Sequence, residues 1–237
     1  MRKWGILISA FYALVVVFLL IPLSGFLSEY DLGDPLLDAW PPVELDLVTQ
    51  FWPVTVWVVL LLVGQALLLF LSVDTSFRRI RPRRHIGVSI ATVALMIGLL
   101  SGIALWSLIA VIGGDDVAED AWVNGFWPAV ALFWVCWGIV FNRFKAGSSE
   151  KLDRLVSWLV KGSVLELLIV VPCHVFVRHR GDCSAPLVTG FGISTGIAVM
   201  LLAFGPSVLY LYQKRLASYK SHAERNATGD EPGAPKN

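Results

Sequence analysis

Long apolar stretches alternate with short charged ones along this chain. A helix that crosses a bilayer needs about 20 consecutive apolar residues. Six windows qualify: 4–27, 51–73, 87–112, 126–141, 155–177 and 187–212. They predict an all-α fold, a polytopic membrane helix bundle with six transmembrane helices. The fourth window is short and bounded by Trp127 and Asn142, and the fifth carries Lys161 and Glu166. The opening "MRKWGILISAFYALVVVFLLIPLSGFL" starts like a signal peptide, but its apolar run is long and no A-x-A site follows. It is read as a retained span. The windows pair into hairpins over 1–80, 81–150 and 151–215, a six-span domain over 1–215. The polar tail at 216–237, with Gly, Pro and Asn, is expected to be a disordered cytoplasmic extension.

Charge between the windows orients the bundle. Arg2 and Lys3, five arginines of "DTSFRRIRPRRHI", four basic residues of "RFKAGSSEKLDR" and five in the tail from Lys214 place sixteen of nineteen Lys and Arg on one side. That side is expected to be cytoplasmic, with both termini there, in a plasma (inner) membrane of bacterial type. The opposite side carries eleven carboxylates, from Glu29 to Asp46, from Asp115 to Asp120, and Asp182, against Arg178 and Arg180. A solvated outer surface is the simplest account of this excess. The sharper one is a cation-attracting vestibule or a docking face for a basic protein partner.

Composition narrows the class further. The chain is 56% hydrophobic and 16% charged, as befits a protein whose first partner is the lipid bilayer. A net charge of +1 supplies no basic surface for nucleic acid, so no nucleic-acid partner is expected. Three cysteines and four histidines are too few for a cysteine-rich scaffold or a zinc-finger array.

An acidic-aromatic phrase occurs twice on the outer side. "GDPLLDAWPPVELDLVTQFWP" precedes the second window and "GDDVAEDAWVNGFWP" leads into the fourth. Proline suits a first helical turn and tryptophan the headgroup layer, so interface chemistry accounts for FWP in both places. It does not account for Gly-Asp and then Asp-Ala-Trp preceding it in the same order. The pattern reads as a duplicated two-helix hairpin, a parallel repeat. Asp38, Trp40, Asp120 and Trp122 become candidates for binding at the outer face, with Arg178 and Arg180 beside them.

The third hairpin holds the unusual chemistry. Glu166 stands deep in its window, where a carboxyl group usually faces protein or water. It is the candidate intramembrane relay, with Gln65 of the second window as a partner at comparable depth. Cys173, His174, His179 and Cys183 gather at the outer end and offer a metal site or a Cys173–Cys183 disulfide. Their C-H-x8-C spacing matches no standard ligand pattern, and unpaired thiols with interfacial histidines are the plain alternative. Arg178 and Arg180 are expected to pair with carboxylates of the DAW loops. Cys136 in the fourth window reads as a small core residue, and the pairs Gly98–Gly102 and Gly192–Gly196 as points of close helix approach.

No catalytic motif is present, so the chain reads as a non-enzyme. The expected function is a non-catalytic binding, scaffold or assembly subunit with an acidic-aromatic outer face. One alternative is a small transporter or channel using Glu166 as a proton or cation relay. The other is redox or metal handling by Cys173, His174 and Cys183. No cofactor is expected on the first two readings, and a transition metal on the third.

Overall fold

The computed structural model describes residues 2–20, 23, 52–71, 86–143, 148–182 and 185–204. Among them every element is helical and no strand occurs. α1 (Arg2–Val15) continues as a π-helical turn over Val16–Leu20, and α2 (Trp52–Ala66) as another over Leu67–Leu71. The helical segment Ile86–Asn142 is broken at Gly114, whose φ of 72° and ψ of −164° are not helical. Its two arms contain the apolar spans α3 (Gly87–Gly114) and α4 (Gly125–Asn142). α5 (Ser148–Arg180) and α6 (Ala185–Phe204) complete the bundle.

Four helices are long and apolar enough to cross a membrane: Gly87–Gly114, Gly125–Asn142, Arg154–Arg180 and Ala185–Phe204. They coincide with the last four sequence windows. The described parts of the first two windows are shorter apolar helices, Ile6–Leu20 and Thr55–Leu69.

Glycine breaks the helix at the end of α3 and at the end of α5. Gly181 has a φ of 77°, its N–H donates to Arg178 O (3.2 Å), and the Asp182 N–H donates to Val177 O (3.3 Å). This pair of bonds is a Schellman cap, which satisfies two carbonyls at the end of α5 and turns the chain back. Gly114 ends α3 with a backbone that side-chain-bearing residues scarcely adopt.

The two hairpins are antiparallel and in tight register. A β-carbon at Gly98 would meet the Trp134 backbone, and one at Gly102 would meet Val130. One at Gly192 would meet Val170, and one at Gly196 would meet Leu167 and Glu166. Both small-xxx-small pairs therefore lie at helix crossings, as their spacing predicts. Indole N–H groups reinforce the α3/α4 crossing: Trp134 donates to Ala91 O (2.9 Å) and Trp137 to Ser101 Oγ (3.2 Å).

α3 and α6 form the middle of the bundle. In each, 61% of the most apolar stretch is buried, against 28% in α5 and 17% in α4. α1 and α2 pack on α6 through two polar clasps: Tyr12 Oη donates to Ala198 O (3.1 Å), and Trp57 Nε1 to Thr195 Oγ1 (2.9 Å). α4 shows large apolar side chains on its outer face, including Leu132, Val135 and Ile139. Cys136 lies on that exposed face rather than in the core expected from its position. The helix turns it away from α3, because Gly98 and Gly102 draw the Val130 and Trp134 side inward.

Candidate functional site: a seam between α3, α5 and α6

One contact fixes the register of all three helices. A β-carbon added to Gly192 on α6 would lie 2.8 Å from both Ile103 Cγ2 on α3 and Val170 Cγ1 on α5. Helices repeat about every 3.6 residues, so each further turn brings the next residue of each helix to the same height. One turn inward stand Leu99 and Leu100, Glu166 and Gly196. One turn outward stand Ser107, His174 and Thr189. A further turn outward Ala110, Val177 and Ala185 form a small apolar cluster.

Glu166 is the least expected member of this ladder. It is 2% exposed, and neither carboxyl oxygen has a hydrogen-bond partner among the described residues. Counted along α5 it lies 12 residues from Arg154 and 14 from Arg180, about 18 Å and 21 Å at the helical rise, near the middle of the span. Gly196 makes room for it: any side chain there would collide with Glu166 Oε2 and with Leu167. Ser163, one turn inward on α5, is also buried, and its hydroxyl donates to Leu159 O (2.9 Å).

His174 is held differently. Its Nδ1 lies 2.8 Å from Thr189 Oγ1, and Thr189 Oγ1 lies 3.2 Å from Ala185 O and 3.3 Å from Pro186 O. The threonine hydroxyl has one proton for these three contacts: it donates to the ring nitrogen, or it donates to a carbonyl and accepts from His174 Nδ1–H. Nε2 meets no partner among the described residues. Ser107, at the same height on α3, is fully buried and its hydroxyl is also unpartnered among them.

Arg180 closes the end of the ladder at Gly114 and Gly181. It pairs with Asp182 of its own turn, with Nε 2.8 Å and 2.9 Å from the two carboxylate oxygens. It also donates to Val111 O (2.8 Å) and Ala110 O (3.1 Å) at the end of α3. α5 is thus tied to α3 through backbone carbonyls, and the carboxylates of the DAW loops, its expected partners, lie outside the residues whose side chains are described. A guanidinium is suited to this because its planar fork reaches several acceptors at once.

The other sequence candidates fare unevenly. Gln65 is 2% exposed and both its amide atoms are unpartnered among the described residues, so no hydrogen bond joins it to Glu166. Cys173 is buried without a disulfide to any described residue, and Cys183 lies outside them. His179 is exposed, and Arg178 is half-buried one turn outward of His174. Among the described residues no three His, Cys, Asp or Glu gather as metal ligands. Asp38 and Trp40 lie outside the described residues, as do the side chains of Asp120 and Trp122.

Sequence reasoning missed Ser107, Thr189 and the pairing of Gly196 with Glu166. The signal was present, because Glu166 and Gly196 are equally distant from Gly181. No family model, no curated protein and no solved structure matches the chain.

Proposed function

We propose that the chain is a small membrane transporter or channel in which Glu166 relays a proton or other cation through the α3/α5/α6 seam. The observation that carries this reading is the unpartnered, 2% exposed carboxyl group at mid-span. A buried carboxyl group that serves structure is normally held by hydrogen bonds, and a charged one costs about 2.5–3.5 kcal/mol at the centre of a membrane helix. Glu166 receives no such support from the described residues, and its carboxyl group fills the room that the missing side chain of Gly196 leaves. A group so placed suits transient occupation by a cation.

The reading counts Ile6–Leu20 and Thr55–Leu69 as the first two of six spans. It places both termini in the cytoplasm of a plasma membrane, on the strength of the sixteen basic residues. The acidic outer loops, read as a duplicated pair, would concentrate cations at the seam's mouth. The docking role expected for that outer face has no described DAW side chain to rest on.

The test is ion uptake by liposomes containing the purified protein, loaded with a pH-sensitive dye and polarised with potassium and valinomycin. Wild-type protein should acidify the lumen, and Glu166→Gln should fall to the rate of empty liposomes. Equal rates for the two proteins sink the relay.

A further inference from the structure

We infer that the ion moved through this seam is a proton, and that Ile103, Val170 and Gly192 form an apolar plug between an inner station at Glu166 and an outer one at His174. This inference rests on the relay reading and names its substrate.

At the plug one residue of each helix meets the other two. Ile103 and Val170 are both fully buried, and even a methyl group on Gly192 would press within 2.8 Å of each. Carbon atoms in contact normally sit about 3.5–4.0 Å apart. The seam is therefore closed at this level to anything the size of a hydrated ion. A bare metal cation fares no better, because hard cations need about six or more oxygen ligands. The plug's side chains supply none, and its backbone carbonyls lie within continuous helices. A proton needs no such cage; it passes along transient water or a swinging side chain.

A polar station lies one turn to either side. Glu166 is four residues inward of Val170 on α5, and His174 is four residues outward, so the two stand about 12 Å apart along the axis. His174 is oriented by Thr189, with Nδ1 2.8 Å from Thr189 Oγ1, and the unpartnered Ser107 hydroxyl stands at the same height. A proton from the outer side binds the ring nitrogen of His174 that carries the lone pair. It then leaves that nitrogen for a carboxylate oxygen of Glu166 through water admitted when the plug loosens. An N–H bond breaks and an O–H bond forms, the imidazolium becomes neutral, the carboxylate becomes a carboxyl group, and one positive charge moves inward. Glu166 then releases the proton to the inner side. Hydrophobic constrictions that gate by excluding water are an established device in membrane pores.

The same polarised liposomes test this, with dyes for protons and for sodium. Wild-type protein should carry protons and show no sodium flux under a sodium gradient. Val170→Ala should raise proton flux at least threefold by widening the plug, whereas a merely structural role for Val170 predicts no gain. Gly192→Ala should cut flux at least tenfold, and Val170→Ala in the same chain should recover part of it by relieving one of the two contacts of the added methyl. His174→Gln should cut flux at least tenfold. Melting curves identify any variant that does not fold; if Gly192→Ala is one, Val170→Ala and His174→Gln decide. Sodium flux comparable with proton flux overturns the proton assignment. Unchanged flux in folded Val170→Ala and His174→Gln, with Glu166→Gln inactive, overturns the plug and leaves the relay standing. Identical flux in wild type and Glu166→Gln removes both.

Discussion

Trp57 Nε1 donates to Thr195 Oγ1 across 2.9 Å, joining α2 to α6 through a bond that spans 138 positions of sequence. The indole also leans on Phe191 with ring centroids 4.8 Å apart, and Thr195 donates its own proton to Phe191 O (2.8 Å). Three residues thus share one small polar junction inside an apolar interface. Interhelical hydrogen bonds of this kind contribute about 0.6 kcal/mol on average and up to about 1.7 kcal/mol. Trp57→Phe and Thr195→Val should each destabilise the bundle, and the double variant should lose less than the two together. Unfolding in mixed micelles measures the coupling. Strict additivity would show that the bond contributes nothing.

The two turn glycines should respond differently to the same substitution. Gly181 caps α5 in the left-handed region, where Asn is tolerated. Gly114 combines a φ of 72° with a ψ of −164°, a region essentially restricted to glycine. Gly181→Asn should therefore cost less than about 1 kcal/mol, and Gly114→Asn about 1–3 kcal/mol. Melting temperatures of the two variants in one detergent settle the order, and a reversed order would mean that the α3 turn is built otherwise.

Arg180 should act as a clasp that Lys cannot replace. The ammonium of Arg180→Lys cannot span Asp182 and two carbonyls of α3 together. The group is partly exposed, so the loss in global stability should be small, about 1 kcal/mol. The local effect should be larger. Amide hydrogens near the ends of α3 and α5 should exchange faster in Arg180→Lys, while those around Ile97 and Ala198 stay unchanged. Uniform exchange in both proteins would mean that the clasp holds nothing.

Sidedness can be read with an impermeant maleimide on single-cysteine chains. Ser148→Cys and Ser221→Cys should react only from the cytoplasmic side, and Cys183 only from the outer side. In the unaltered chain, Cys183 labelling that appears only after reductant would identify a Cys173–Cys183 bond. Reaction of Ser148→Cys from outside would overturn the orientation drawn from the sixteen basic residues.

Much of this architecture is legible in the chain because lipid imposes a simple rule: backbone polar groups must be satisfied within each helix. Apolar runs therefore announced α3 to α6 closely, and the pairs Gly98–Gly102 and Gly192–Gly196 announced their crossings. What periodicity does not carry is which face meets which neighbour. Cys136 lies on the exposed face, not in the core, because depth in a span says nothing of direction around the helix. Glu166 was recognised by its charge, but its neighbours were not, since Ser107 and Thr189 look ordinary inside apolar runs. The hairpin arithmetic supplies the missing step. Counting outward from Gly181 pairs Glu166 with Gly196 and Val170 with Gly192, and brings His174 to the level of Thr189.

The burial of α6 bears on how the protein is made. Tyr12, Trp57, Gly64, Ile103 and His174 all rest against a helix that the ribosome completes after the others. Each of these earlier helices is made with the side intended for α6 still uncovered. Of the two central helices, α3 precedes α4 and α5 in the chain and α6 follows every other described helix, so α6 works as a keystone. A chain halted before Ala185 would present several unsatisfied faces at once, giving quality control a clear mark by which to recognise an unfinished product.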